Sequence, residues 1–118
     1  MGMLDADALV ALLKAGGYEH SLIANNLANV NTPGYRALRM RFTEQLEAAL
    51  DAHGGLVPGK QIVVEAYRPL FSDVGADGND VSLEREVTEL NKNALEMQFY
   101  LAVLSARIAK LRVAMESR

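Results

Sequence analysis

The 118-residue sequence has no cysteine, no tryptophan and only three prolines. Without cysteine, disulfides and thiolate metal sites are excluded outright. No apolar run approaches the ~20 residues of a membrane-spanning helix. The N-terminus also lacks a basic segment followed by an apolar one, so no cleaved secretory signal is expected. Met1-Gly2 opens like a myristoylation site, but Ala6 stands where Ser or Thr is needed. Aromatic residues are scarce: Phe42, Phe71, Phe99, Tyr18, Tyr35, Tyr67 and Tyr100. Aromatics give the largest burial per residue, and a core of Leu, Val, Ala and Met suits helix-on-helix packing better than a sheet sandwich. Neither sign of charge dominates, with 12 basic and 15 acidic residues giving a net charge of −3. A clustered basic surface is what nucleic acid requires, so nucleic acid is not expected as a partner. Arg36, Arg39 and Arg41 make a local basic stretch that reads as a solvated loop.

What is present is apolar periodicity. Half the residues are hydrophobic, and the length suits a single domain over residues 1–118. The first segment, about Leu4 to Asn29, places Leu9, Leu13, Gly16, His20, Ile23, Leu27 and Val30 at spacings of four and three. That spacing holds side chains on one seam of a helix. Gly16-Gly17 predicts a kink or weak point within it, and His20 reads as a half-buried polar residue. The last segment, about Val81 to Glu116, is more regular. Leu83, Val87, Leu90, Ala94, Met97, Leu101, Leu104, Ile108, Leu111 and Met115 alternate without a miss, as in a coiled-coil-type helix about 50 Å long. Asp80 or Ser82 can cap its start, Glu84 and Glu86 suit its first turn, and Arg107, Lys110 and Arg112 lie toward its negative end.

The middle predicts less. Thr43 to Leu50 reads as a short helix, ended by His53-Gly54-Gly55 and Pro58-Gly59. Gln61 to Arg68 is the one plausible strand, with Val63 and Val64 β-branched and Pro69 ending it. Asp73 to Asp80 is a loop. The fold class is therefore mainly α. Residues 1–31 form an N-terminal helix and turn, 32–80 a small irregular or β middle, and 81–118 a C-terminal helix. The two helices can bury their seams against each other, antiparallel, or against neighbouring copies.

Chemistry finds little support. Asp73, Asp77, Gly78 and Glu84 fall at positions 1, 5, 6 and 12 of a calcium loop, but Gly75 fails position 3 and no helix enters the loop. His20 and His53 lie far apart with no nucleophile motif, and no glycine pattern cradles phosphate. Glu44, Glu47 and Asp51 read as a solvated acidic face. No enzyme, no metal, no cofactor and no small-molecule substrate is expected.

The first helix closes on Asn25, Asn26, Leu27, Ala28, Asn29, Val30, Asn31, Thr32, Pro33, Gly34 and Tyr35. Asparagine amides compete for backbone partners and stop helices. Thr32 precedes proline and is pushed out of the helical region. Pro33 and Gly34 fit the two central positions of a type II turn. Four asparagines in seven residues exceed what a helix stop needs, and suggest amide hydrogen bonds to a neighbouring backbone.

This run, Asn25 to Ala37, closely resembles the N-terminal signature of the rod and hook family of flagellar axial proteins, an Asn-x-Ala-Asn-x-x-Thr-x-Gly-Tyr pattern met by Asn26, Ala28, Asn29, Thr32, Gly34 and Tyr35. Its Thr-Pro-Gly-Tyr form with Phe42 beyond looks most like the proximal-rod members. Asp77-Gly78-Asn79-Asp80-Val81, leading through Leu83 and Glu86, resembles the family's second signature, and Leu111-Arg112 with Ala114 agrees. Two features depart from the pattern: the Gly16-Gly17 pair, and Met97, where the family tends to carry tyrosine. The resemblance implies a structural subunit of the bacterial flagellar basal-body rod, with other rod proteins, copies of itself, and membrane-ring or export-gate components as partners. It implies a periplasmic rod location reached by type III export without a cleaved signal. A free-standing coiled-coil adaptor, folded as a closed dimer, is the alternative that the seams alone would favour.

Overall fold

The structure, a computed structural model, describes residues 5–43, 49–51, 53–57 and 60–117. Helix α1 spans Ala6–Ala28 and helix α2 spans Leu83–Glu116. Between them, strands β1 (Arg39–Phe42) and β2 (Val64–Tyr67) form a two-stranded antiparallel sheet.

Each helix starts where its side chains can satisfy the free N–H groups of the first turn. The Asp5 carboxylate accepts from the Ala8 N–H at 2.9 Å, and the Ser82 hydroxyl accepts from the Arg85 N–H at 3.2 Å. Such caps are typically worth about 1 kcal/mol. Of the two expected caps of α2, Ser82 is the one used. α1 ends at the asparagine run, where the Asn29 N–H is shared between the Asn25 and Asn26 carbonyls.

The helices pair within the chain, antiparallel. The Asn26 amide meets Glu86 at 2.8 Å, the Asn93 amide meets the Gly16 carbonyl at 2.9 Å, and Leu12 and Tyr100 border one groove. This register carries α2 past the start of α1 beyond about Arg107. The last nine helical residues, about 14 Å at 1.5 Å per residue, therefore project alone, and the molecule is 67 Å long.

The buried stripes differ from the expected seams. In α1 the buried residues are Ala8, Leu9, Leu12, Ala15, Leu22, Ile23 and Asn26. Leu9 and Ile23 of the expected seam are among them, Leu13, Leu27 and Val30 are half-buried, and His20 is exposed. Burying a Leu or Ile side chain contributes about 1.5–3 kcal/mol, so α1 supplies most of the apolar core. α2 buries only Glu86 and Asn93. Its inner stripe runs through Glu86, Leu90, Asn93, Met97, Tyr100 and Leu104, at the same four-three spacing as the expected seam but rotated from it. The seam residues Leu90, Met97 and Leu104 are half-buried, whereas Leu83, Val87, Leu101, Ile108, Leu111 and Met115 are exposed.

No break appears at Gly16-Gly17, and α1 is helical throughout. The reason for Gly16 is a close approach: a Cβ there would sit 3.0 Å from Met97 Cγ and 3.4 Å from its Sδ. The two departures from the family pattern thus meet each other, a long flexible thioether on one helix filling the space left by a missing side chain on the other.

In the middle, the expected strand is realised over Val64–Tyr67, shorter than Gln61 to Arg68. Its partner β1 comes from the stretch expected to be a solvated loop. Arg39 stands opposite Tyr67 and Arg41 opposite Glu65, and the Arg41–Glu65 pair lies at 2.7 Å across the ladder. Leu50 and Leu56 form an isolated bridge, and the Asp5 N–H donates to the Gly54 carbonyl at 2.9 Å, tethering this loop to the start of α1. The expected short helix over 43–50 and the Pro58-Gly59 break fall mainly outside the described residues.

Candidate functional site

The asparagine run folds as a turn with its amides divided between inside and outside. Thr32 to Tyr35 closes with a Tyr35 N–H to Thr32 carbonyl bond of 3.2 Å, and Gly34 has φ +75°. Positive φ at the third position is what a type II turn requires, and glycine adopts it without a Cβ clash.

Asn26 is completely buried, and every hydrogen-bonding position of its amide is used within the chain. Its Nδ2 donates to the Leu38 carbonyl and to Glu86 Oε1, each at 2.8 Å. Its Oδ1 accepts from the Leu38 N–H at 2.9 Å and the Tyr35 hydroxyl at 3.2 Å. One side chain thereby joins α1, the turn, the approach to β1, and α2. Glu86, also fully buried, takes both Arg39 guanidinium nitrogens at 2.9 and 2.6 Å. Such two-point pairing is the strong form of the carboxylate–arginine contact. Burial works against the Arg39 charge, but the hydrogen-bonded Glu86 more than offsets it, and the guanidinium titrates above its ordinary value.

The second signature docks on the first. Asn79 donates through Nδ2 to the Asn29 carbonyl at 2.9 Å and the Thr32 carbonyl at 2.8 Å. Its own Oδ1 accepts from the Val81 N–H at 2.7 Å. Asp80, 1% exposed, accepts from the Ala37 N–H at 2.6 Å and from Arg36 at 3.4 Å. The Gly34 N–H donates to the Asp77 carbonyl at 2.9 Å. Gly78, at φ +85°, lies so close that a Cβ on it would meet Gly34 Cα at 3.4 Å. Two motifs some 50 residues apart are therefore halves of one hydrogen-bonded joint, which holds the start of α2 against the end of α1.

The segment after β2 is clamped by cations. Arg85 lies 3.7 Å from the Phe71 ring centroid with Arg39 on the same ring at 5.6 Å. Arg85 also pairs with Asp73 at 2.5 Å, which holds the Asp73 carboxyl below its usual range. Arg68 donates to the Arg36 carbonyl.

Several predicted residues nevertheless face solvent, some of them with their backbones in the joint. Asn25, Asn31, Thr32, Pro33 and Gly34 are exposed, as is Ala28. Asn29 directs its Nδ2 to the Asn25 carbonyl at 2.8 Å and accepts from the Thr32 hydroxyl at 3.0 Å, closing the helix locally. Among the described residues, the Asn25 and Asn31 amides make no hydrogen bond. Along α2, Leu83, Val87, Leu95, Phe99, Leu101, Ile108, Leu111 and Met115 are exposed; Leu95 (67%) and Phe99 (62%) lie on the side away from α1, whereas Ile108, Leu111 and Met115 continue the inner stripe past the start of α1. Ile108, Leu111 and Met115 lie side by side, and clustered exposed apolar surface marks interaction sites in soluble proteins. Glu86, Arg39, Asn79 and Asp80 were not singled out as site residues from sequence. The clue available for Asn79, Asp80 and Glu86 was their place in the second signature.

A family model described as "Flagella basal body rod protein" matches residues 21–36, the end of α1 and the turn. The flagellar basal body rod protein FlgB of Aeromonas hydrophila is 33% identical over 106 residues, covering 80% of each chain. The chain belongs to the FlgB family of flagellar basal body rod proteins. The Salmonella typhimurium FlgB is 28% identical over 103 residues, covering 74% of this chain and 75% of its own. The Bacillus subtilis FlgB is 24% identical over 115 residues, covering 85% and 84%. Membership makes the chain a structural component of the rod that assembles with other rod components, and the free-standing adaptor is not favoured.

Proposed function

We propose that residues 1–118 act as one rod domain in the proximal drive shaft of the flagellum, near the membrane ring and export gate, and that the subunit joins its neighbours by burying the exposed apolar residues of α2. The observation that carries this reading is the set of exposed apolar residues along α2 from Leu83 to Met115. A helix that leaves these side chains uncovered gains by covering them against other subunits, at about 25 cal/mol for each Å² buried. In this reading the joint built on Asn26 and Asn79 fixes the angle at which the two helices are presented. The exposed amides of Asn25 and Asn31 then hydrogen bond to a neighbouring backbone, the role expected of the motif as a whole. Copies of the chain and other rod proteins are the partners, and no catalytic role, nucleic acid or small-molecule substrate is part of the proposal.

The rod's position implies passage to the periplasm, and we assign that passage to flagellar type III export with no cleaved signal. Isolated basal bodies would be tested for the chain by mass spectrometry. The expected result is its recovery with the N-terminal segment retained. Recovery of a shortened chain would refute the export route, and absence from basal bodies would refute the rod placement.

A further inference from the structure

A groove of about 370 Å³ opens between α1, α2 and β1. Its apolar walls include Met40, Phe42 and Met97, and its polar lining includes Glu19, Glu96 and Tyr100. Among the described residues, neither Glu19 nor Glu96 forms an ion pair. Glu19 accepts only from the Asn93 amide, at 3.2 Å. Its carboxyl is pushed up by burial, against the pull of the Asn93 hydrogen bond, and further by Glu96 and Glu89, with Lys92 too weak to compensate. Tyr100 is pushed up likewise by burial and by the same carboxylates, Glu96 and Glu19. An apolar slot edged by two carboxylates that form no ion pair among the described residues suits the long stem and cationic head of an arginine or lysine.

The same chain carries such a group in the right setting. On the projecting end of α2, Arg112 shares a face with the exposed apolar residues Ile108, Leu111 and Met115, with Glu116 at its far end. A helix that buries those three takes Arg112 in with them. Among the described residues Arg112 has no partner of its own.

We propose that the groove at Glu19 and Glu96 is a socket for Arg112 on the projecting α2 of a second copy. The inference rests on the rod reading and deepens it by naming the two surfaces. Socket and plug are different patches of one chain, so the contact is heterologous and propagates into an open helical array, unlike the reciprocal contact that closes a dimer.

The cysteine-free chain makes the test direct. Glu96 and Arg112 are both exposed, and sixteen residues of helix separate them by about 24 Å, too far for an internal disulfide, which needs Cα atoms within about 7 Å. A chain carrying both Glu96→Cys and Arg112→Cys would replace the native gene, and swimming cells would be oxidised and analysed without reductant. A ladder extending beyond dimer supports the socket. Monomer alone in swimming cells overturns it while leaving the rod reading intact, and dimer alone overturns the head-to-tail arrangement. If the double-cysteine cells do not swim, charge exchange decides. Glu96→Arg and Arg112→Glu should each shrink swimming rings at least several-fold, and their combination should restore most of the loss. Failure of the combination to restore swimming overturns the proposal. The rod reading fails separately, if deleting the gene leaves swimming normal.

Discussion

Replacing Asn26 with alanine removes the one side chain that bonds to the turn, the approach to β1, and α2 together. The four bonds of its amide, between 2.8 and 3.2 Å, disappear at once. Of the groups released, the N–H of half-buried Leu38 is left without a partner, whereas the Leu38 carbonyl keeps Arg39 Nη1 at 3.1 Å. Tyr35, also half-buried, retains access to water, and Glu86 keeps Arg39. An orphaned buried polar group costs about 1–3 kcal/mol, so the loss is about 1–3 kcal/mol, against a total of roughly 6–18 kcal/mol for a chain this long. With a urea slope of about 1.5–2 kcal/mol per molar, the midpoint should fall by roughly 0.5–2 M. Asn25→Ala, which removes an exposed amide that makes no hydrogen bond among the described residues, should stay within about 0.5 kcal/mol of the parent. Urea titrations followed by circular dichroism compare the two. Equal midpoints for Asn26→Ala and Asn25→Ala would refute the view that Asn26 serves the fold of its own chain.

Gly17 has open space around it and sits in a helix interior, so Gly17→Ala should stabilise by about 0.5–1 kcal/mol and raise the calorimetric Tm by roughly 2–5 °C; Gly16→Leu should instead lower it, because Met97 occupies the space. The raised Glu19 pKa means that the folded state holds its proton more tightly than the unfolded one. That contribution is fully present below about pH 4.3 and is lost as pH rises through the folded value. Glu19→Gln should therefore raise the urea midpoint at pH 7 and lose that advantage at pH 4. Leu101→Asp with Ile108→Asp, two exposed positions, should leave the unfolding midpoint nearly unchanged while reducing swimming-ring diameter to that of a non-motile strain. Asn25→Ala with Asn31→Ala should likewise fold normally and impair rod assembly, scored by counting rods in isolated basal bodies.

The two helices were legible because apolar residues recur at helical spacing and capping residues stand where each begins. The buried face of α2 was not legible, because apolar counting passes over Glu86 and Asn93. Those two are buried by virtue of partners 47 and 77 residues away, Arg39 and the Gly16 carbonyl. Arg36, Arg39 and Arg41 read as solvated for the same reason, since local sequence does not reveal the carboxylates of Asp80, Glu86 and Glu65 that meet them. The turn at Thr32 to Tyr35 was readable in its local geometry, because Pro33 and Gly34 constrain their own backbones. Its docking onto Asn79 was not readable, because nothing in the spacing of either motif specifies the other. The asparagine run was expected to bond a neighbouring backbone, but Asn26 and Asn29 use their amides within the chain, and the proposed contact with neighbours falls to the exposed Asn25 and Asn31.

Electron microscopy of basal bodies from a strain deleted for this gene, with and without the gene restored, tests the proximal-rod account most directly. The account predicts inner-membrane rings with no rod beyond them and no swimming, both corrected when the gene is returned. Complete rods and normal swimming in the deletion strain, with no duplicate gene present, would contradict it.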